Sequence, residues 1–401
     1  MERMFESSKK IYNILSNGDS KGLLLGKDIY LPEDKRGNTN TLIVGGSGAG
    51  KSASFSVPNV LNMLGSYIVT DYFGEIYEKT HKYLEKNGYE VITINYGQGE
   101  NDYKYNPLSH IRNDEDIEVL ANILSNILIE NNTDEFWNEA SKILIKCTLY
   151  YVLEKEENKD LLTCFKVMSL EKDKFFEKLN CFAEESKAGK YYGVLKTFPE
   201  KTYESVVSTA LIKLSFVINA IDKNTVYDKK FDFNDLSQKK IAIFIVCDEN
   251  TNESKKMANI FISQFLSQIS IGTEKKEHIY LILDQVDNLG KIFDFSTQIE
   301  LARCRKISIS LIINNLKRFE YIYGNDFYSM LNSIDTQMLL GTNLKADVEY
   351  FSDLLGIDKT FIKEDLDNDK LLISEKGLGP ILADKEYFFR NQYWREVWEE
   401  K

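Results

Sequence analysis

Short apolar runs, each closed by a polar or glycine-bearing turn, dominate both ends of this chain, while a long middle stretch follows a different period. Thr41-Leu42-Ile43-Val44, Tyr67-Ile68-Val69-Thr70-Asp71 and Tyr89-Glu90-Val91-Ile92-Thr93-Ile94-Asn95 have the length and β-branched content of buried strands. The stretch Tyr77 to Asn87 between the last two reads as a helix. Such β-α-β alternation predicts a mainly parallel sheet with helices on both faces, an α/β fold. The pattern returns late in the chain. Lys240 to Val246, His278 to Asp284 and Ile307 to Ile313 are strands, and Leu339 to Thr342 ends another. Ala258 to Gln268 and Phe295 to Cys304 read as helices between them. Leu371 to Phe389 reads as a β-rich tail, with Trp394 and Trp398 as aromatics packed on the body.

From about Pro107 to Asn234 the strand signal fades and the helical period takes over. Ile117, Leu120, Leu124, Ile127 and Leu128 share one helix face, as do Phe136, Ala140, Ile143, Leu144 and Cys147, and later Val206, Ala210, Leu211 and Leu214. The expected organisation is therefore a lead-in (1–40), a first α/β part (41–106), an all-α insertion (107–234), and a second α/β part with the β-rich tail (235–401). The lead-in holds an amphipathic helix from Phe5 to Leu15 and the segment Gly22-Leu23-Leu24-Leu25-Gly26. Packing onto the main domain and docking to a membrane partner both suit it.

Composition changes this picture little. A chain of 401 residues can bury a large core. Net charge is −12, so the surface as a whole repels nucleic acid, and any DNA contact needs a local basic stripe or a channel formed on assembly. Lys187, Lys190, Lys196 and Lys201 make a loosely basic stretch that reads as a solvated face. The five cysteines (Cys147, Cys164, Cys181, Cys247, Cys304) show no C-x-x-C pairing; three fall in helical-looking, half-apolar stretches, which reads as buried free thiols suited to a reducing compartment. No run approaches the ~18 apolar residues of a membrane span, and the first residues lack the apolar core of a signal peptide. The expectation is a soluble, cytoplasmic protein.

The candidate chemistry lies just after the first strand. Gly45-Gly46-Ser47-Gly48-Ala49-Gly50-Lys51-Ser52 fits G-x-x-x-x-G-K-[ST], the phosphate-binding loop. A strand runs in, and a helix-capable run, Ser52 to Val57, leads out. Backbone N–H groups of such a turn, aimed by a helix N-terminus, can surround the negative charge of a triphosphate. Lys51 would reach the β- and γ-phosphates of ATP, and the Ser52 hydroxyl would ligate Mg²⁺. Average residue usage puts a chance match at roughly one or two per hundred chains of this length. The strand ending in Asp284 has the Walker B form, four apolar residues and a carboxylate that would hold the Mg²⁺ shell. Asp71, at the carboxyl end of its strand, is expected near the nucleotide or a neighbouring subunit.

Other segments combine with these into a wider likeness. They are Val57-Pro58-Asn59-Val60-Leu61, Thr70-Asp71 with Gly74-Glu75, Tyr105-Asn106-Pro107-Leu108, Phe136-Trp137, and Thr202-Tyr203-Glu204-Ser205-Val206. Later come Asp284 with Asn288-Leu289-Gly290-Lys291, Ala302-Arg303 with Arg305, and Asp335-Thr336-Gln337 with Leu340-Gly341-Thr342-Asn343. From Gly22 onward the chain resembles the coupling-protein ATPases of type IV secretion and conjugation, hexameric RecA-like motors. The resemblance implies a RecA-like fold with an inserted all-α domain, and ATP and Mg²⁺ as cofactors. It also implies relaxase and single-stranded DNA as partners, and homo-hexamer assembly. It makes Arg305 the trans-acting arginine, a group worth ~10³–10⁵ in rate where it operates. It makes Asn314 the polar sensor, where the family usually has Gln.

The departures are specific. Where the family has Asp-Glu, this chain has Asp284-Gln285. Glutamine can orient water but cannot take its proton, and loss of a positioned base typically costs ~10²–10⁴-fold. The family's Asp-Pro-Lys-Gly-Glu is here Asp71-Tyr72-Phe73-Gly74-Glu75, without the lysine. The family's membrane-spanning N-terminus is absent from this sequence. The resemblance then implies a separate membrane-anchored secretion component that recruits the chain to the inner face of the cell membrane. Two readings follow. In one, the protein hydrolyses ATP with Asp287 or Glu75 partly substituting for the lost glutamate, and drives relaxase-bound DNA into the channel. In the other, it binds ATP without turnover, as a silenced adaptor. A related DNA-pumping ATPase without a secretion role is a third possibility, which the helical insertion disfavours.

Overall fold

The computed structural model describes residues 5–15, 22–34, 36–95, 103–127, 135–221, 231–248, 251–269, 276–392 and 394. Its strands are β1 Gly22–Gly26, β2 Ile29–Pro32, β3 Thr41–Gly45, β4 Ser66–Tyr72, β5 Glu90–Asn95, β6 Ile241–Cys247, β7 Ile279–Leu283, β8 Ile307–Ile313, β9 Thr336–Gly341, β10 Lys370–Glu375 and β11 Ile381–Asp384. β1 and β2 form a separate antiparallel hairpin. The other nine make one sheet in the order β11-β10-β9-β3-β8-β7-β4-β6-β5. From β9 to β5 every neighbouring pair is parallel, while β10 pairs antiparallel with both β9 and β11. The α/β class with a mainly parallel sheet holds.

The strands read as unbroken apolar runs because both faces are covered. Alternate side chains enter two cores. Leu42, Val44, Ile68, Ile243, Leu281 and Ile309 face one, with Phe261, Phe265, Phe295 and Phe319 from the overlying helices. Ile43, Tyr67, Val69, Phe244, Ile282 and Ile312 face the other, with Leu23, Leu31, Phe55, Val60 and Leu84. β1 and β2 are thus a lid on this second face, which a glycine-flanked leucine triplet does not reveal locally. Trp394 is buried in the same core, and Trp398 lies outside the described residues.

Between the adjacent strands β5 and β6 the chain makes a long helical excursion. It includes Asp114–Asn126, Glu135–Lys155, Leu161–Met168, Lys172–Leu179, Lys187–Lys196, Glu200–Leu214 and Val217–Ala220. Leu120, Leu124, Leu144, Val206 and Leu214 are buried in the same cluster as the sheet face below; Leu128 lies outside the described residues. Lys187, Lys190, Lys196 and Lys201 are exposed.

Several boundaries differ from the sequence expectation. The first helix is Ser8–Ile14 rather than Phe5 to Leu15. The helix from Phe295 stops at Ala302, and Arg303–Arg305 continue as a 3₁₀ turn before Lys306 takes positive φ (51°) and turns the chain into β8. Three of the cysteines are buried, whereas Cys181 and Cys304 are exposed. No described helix is long and apolar enough to cross a membrane.

Candidate nucleotide site

β3 ends at Gly45, between the carboxyl ends of β8 and β9, and the phosphate-binding loop leaves from there. Gly48 (φ 77°) and Gly50 (φ 83°) supply the left-handed backbone that the loop needs. The following turn is not a plain α-helix: Ser52–Ser56 form a π-type turn that continues as the helix Val57–Leu61. The wider turn places Ser52 and Ser56 on one carboxylate. Both hydroxyls donate to Asp284 Oδ2, at 2.8 Å and 3.0 Å. π-turns of this kind often mark functional sites.

Lys51 is folded back into the loop. Its ammonium donates to the carbonyls of Gly45 (2.7 Å) and Gly46 (3.0 Å) and to Asn314 Oδ1 (3.0 Å). Burial lowers its proton affinity, and Asp284 and Asp287 oppose that shift. Asp284 is itself buried, which raises its pKa, while Ser52, Ser56 and Lys51 pull it down. Its Oδ1 is buried with no protein partner among the described residues. Thr70 donates to the Asp284 carbonyl at 2.8 Å and so ties β4 to the end of β7.

Sequence reasoning brings Gly45 to Ser52, Asp284 and Asn314 to one place, and the structure assembles them. Gln285 lies beside them in the left-handed region (φ 53°), and its amide oxygen accepts from Asn288 Nδ2 at 2.9 Å. Asp71 lies beside Asp284, since Thr70 pairs with Leu283 in register, so its expected place near the site holds. Its two oxygens accept from the N–H groups of Ile76 (3.1 Å) and Tyr77 (2.7 Å), so within the chain it caps the helix Glu75–Lys86. Burial pushes its pKa up to about 7 against those two hydrogen bonds.

Arg305 is not brought to the loop. It precedes β8, whereas Asn314 follows it, and the guanidinium is buried and donates to Leu266 O (2.5 Å) and Gln298 Oε1 (2.6 Å). As a trans-acting group it would first have to leave these partners.

Three contributors were missed. Ser56 sits inside an unremarkable serine-rich run. Lys385 and Tyr387, far along the tail, close over the loop. Lys385 Nζ donates to Ala49 O (3.0 Å) and Asn368 O (2.6 Å), and a Cβ on Gly50 would stand 3.0 Å from the Tyr387 ring. Between the loop, the end of β9 and this tail lies a cavity of about 340 Å³, lined by Gly48, Asn343, Ile362, Asn368, Lys385 and Tyr387. No local signal marks these tail residues, because only the antiparallel β10–β11 pair carries them back to β3.

This arrangement pairs a phosphate-binding loop after β3 with a carboxylate that follows β7, with β8 between the two strands. Residues 4–377 match the model of the family described as type IV secretory system conjugative DNA transfer. The chain belongs to that family. Over 373 residues it is 22% identical to the conjugal transfer protein TraG of Escherichia coli, covering 85% of this chain and 58% of that protein. The chain thus spans little more than half the length of that curated relative. Its fold is similar to the plasmid coupling protein TrwB, solved in complex with ADP and Mg²⁺, with a TM-score of 0.77 and 15% identity over 96% of this chain and 93% of that one. TrwB has also been solved with the non-hydrolysable ATP analogue ADPNP. The VirB4 structure of Thermoanaerobacter pseudethanolicus is a more distant likeness, with a TM-score of 0.54 and 17% identity over 94% of this chain and 99% of that one. As a conjugative DNA transfer family member, the chain has the coupling-protein fold of these structures.

Proposed function

We propose that this chain binds ATP with Mg²⁺ at Gly45–Ser52 and uses it to recruit relaxase-bound single-stranded DNA and drive it into a type IV secretion channel. One observation carries the nucleotide part. The Ser52 hydroxyl and Asp284 are already hydrogen-bonded, Lys51 is within the same cluster, and Asp284 Oδ1 is buried without a partner among the described residues. A buried carboxylate oxygen left unsatisfied is costly, and a hard cation held by Ser52 and Asp284 would satisfy it. When bound, that Mg²⁺ would neutralise charge on the phosphates. Lys51 holds loop carbonyls that phosphate oxygens would replace as its partners, and Asn314 orients its ammonium.

The transfer role rests on the family. In this reading residues 107–234 form an all-α domain that receives relaxase and DNA, the working form is a homo-hexamer, and a separate membrane protein recruits it to the inner face of the cell membrane. With a net charge of −12, DNA contact would be to phosphates inside a ring channel and would weaken steeply with salt. Gln285 favours a second reading, a silenced nucleotide-binding adaptor, because its amide is engaged by Asn288 and accepts no proton.

The deciding experiment is steady-state ATP hydrolysis with and without single-stranded DNA, alongside direct ATP binding and Lys51→Ala. Turnover that rises with DNA and vanishes in Lys51→Ala supports the motor. Tight binding without turnover supports the adaptor. Absence of both binding and turnover removes the nucleotide reading.

A further inference from the structure

The site holds a carboxylate that the sequence motif does not account for. Asp287 sits on a 3₁₀ turn after β7, spanning Val286–Asn288, and Gln285 is the residue that precedes it. The left-handed backbone at Gln285 turns the chain so that its side chain goes to Asn288 while the Asp287 carboxylate goes to Asn314 at the end of β8. Asp287 is 1% exposed. Its Oδ2 accepts from the Asn314 N–H at 3.4 Å, and the Asn314 side chain in turn accepts from Lys51 at 3.0 Å. Its Oδ1 is buried with no protein partner among the described residues.

The other nearby acids have other roles. Both Asp71 oxygens cap a helix. Asp284 takes Ser52 and Ser56 on Oδ2, and its remaining oxygen is the one assigned to Mg²⁺ above. Glu75 is exposed on the first turn of its helix and paired with Lys79. Asp287 is also held through its backbone, because Arg318 Nε donates to its carbonyl at 3.0 Å. A buried carboxylate oxygen without a donor is costly, and a catalytic role is one reason such a group is kept.

We propose that Asp287 is the general base of ATP hydrolysis in this chain, standing in for the carboxylate that Gln285 lacks. The inference rests on the nucleotide reading above. In the step, the oxygen of a water forms a bond to the γ-phosphorus. The bond from that phosphorus to the β–γ bridging oxygen breaks, ADP leaves with its electron pair, and the water's proton passes to Asp287. Gln285 contributes orientation only. Burial raises the proton affinity of Asp287, which suits a base, and Arg318 and Lys51 keep it from rising further.

The test uses Asp287→Asn, Gln285→Glu and the double variant in the full chain. ATP turnover, binding of a fluorescent ATP analogue and thermal melting are read for each. Asp287→Asn is expected to lower kcat by ~10²–10⁴-fold with analogue affinity unchanged. Gln285→Glu in the Asp287→Asn background is expected to restore turnover, because it returns a carboxylate to the same turn. In the wild-type background it is expected to gain less than about tenfold, since a base is already present. Wild-type turnover in Asp287→Asn overturns the proposal. So does loss of binding and melting temperature that Gln285→Glu does not recover, which marks a structural role. A wild-type chain that binds the analogue but turns over only after Gln285→Glu overturns it too, and leaves the adaptor reading standing. Failure of the nucleotide reading itself shows differently, as no analogue binding in any variant.

Discussion

Arg305 and Asn314 stand at opposite ends of β8. The strand has seven residues, a length of about 23 Å at roughly 3.3 Å per residue, and both residues lie beyond its ends. One chain cannot present both to the same γ-phosphate. Arg305 is also spent on Leu266 O and Gln298 Oε1, holding the helix Asn252–Gln268 to the helix Phe295–Ala302. Arg305→Met is therefore expected to lower stability by about 1–3 kcal/mol, the cost of leaving buried acceptors unpaired. Urea unfolding of the monomer checks this. Unchanged stability with turnover lost only in assembled protein would instead support a trans-acting role.

Ser52 and Ser56 share Asp284 Oδ2 but should separate in function. Ser56 is fully buried, so its hydroxyl serves the carboxylate alone. Ser56→Ala is expected to cost about 1 kcal/mol of stability and to change Mg²⁺-dependent nucleotide affinity little. Ser52→Ala is expected to weaken affinity in the presence of Mg²⁺ far more than in EDTA. Titration calorimetry under both conditions distinguishes them.

Gly50 is constrained twice. Its φ is 83°, and a Cβ there would meet the Tyr387 ring at 3.0 Å. Gly50→Ala is expected to lose nucleotide binding, through a left-handed penalty of roughly 1–2 kcal/mol and displacement of the ring. Adding Tyr387→Ala removes the clash but not the backbone penalty, so only partial recovery is expected. Analogue binding to both variants reads this directly.

Lys213 gives a pH signature far from the loop. Its ammonium donates to Asn138 Oδ1 (2.5 Å) and Ser141 Oγ (3.1 Å). Burial lowers its pKa from 10.5 to about 8, with Glu139 opposing and Lys142 assisting. Between these values the unfolded chain binds more protons than the folded one, so this group's contribution makes stability rise with pH from about 8 to 10.5. Below pH 8 the burial penalty is present in full. Lys213→Met is expected to flatten that part of the stability profile relative to wild type, as measured by urea midpoints across the range.

Much of the site was legible because its signals are local. Gly45 to Ser52 and Asp284 each carry their meaning within a few residues, as does the strand that precedes them. The likeness to coupling proteins, spread over short segments from Gly22 onward, led to the family that the chain belongs to. Ser56 was not legible, because its role depends on a π-type turn that no propensity distinguishes from an α-helix. Lys385 and Tyr387 were not legible either, since a lysine and a tyrosine in a β-rich tail say nothing about a loop more than three hundred residues earlier. Asp71 was legible in position, beside Asp284, but not in its helix-capping role, because the strand-end rule gives a position and not the direction of a side chain.

The sequence by itself determined the elements: apolar runs that must be covered on both faces, a helical period between them, and a glycine loop able to wrap a phosphate. Periodicity and backbone sterics act over a few residues, so they can be read from the chain alone. Only the tertiary structure decided the neighbours. It set β3 between β8 and β9, folded the tail over Gly50, buried Arg305 away from the loop, and turned Asp287 rather than Gln285 toward Asn314. Those outcomes follow from strand order and from one left-handed residue after β7, which are settled by packing across the whole sheet.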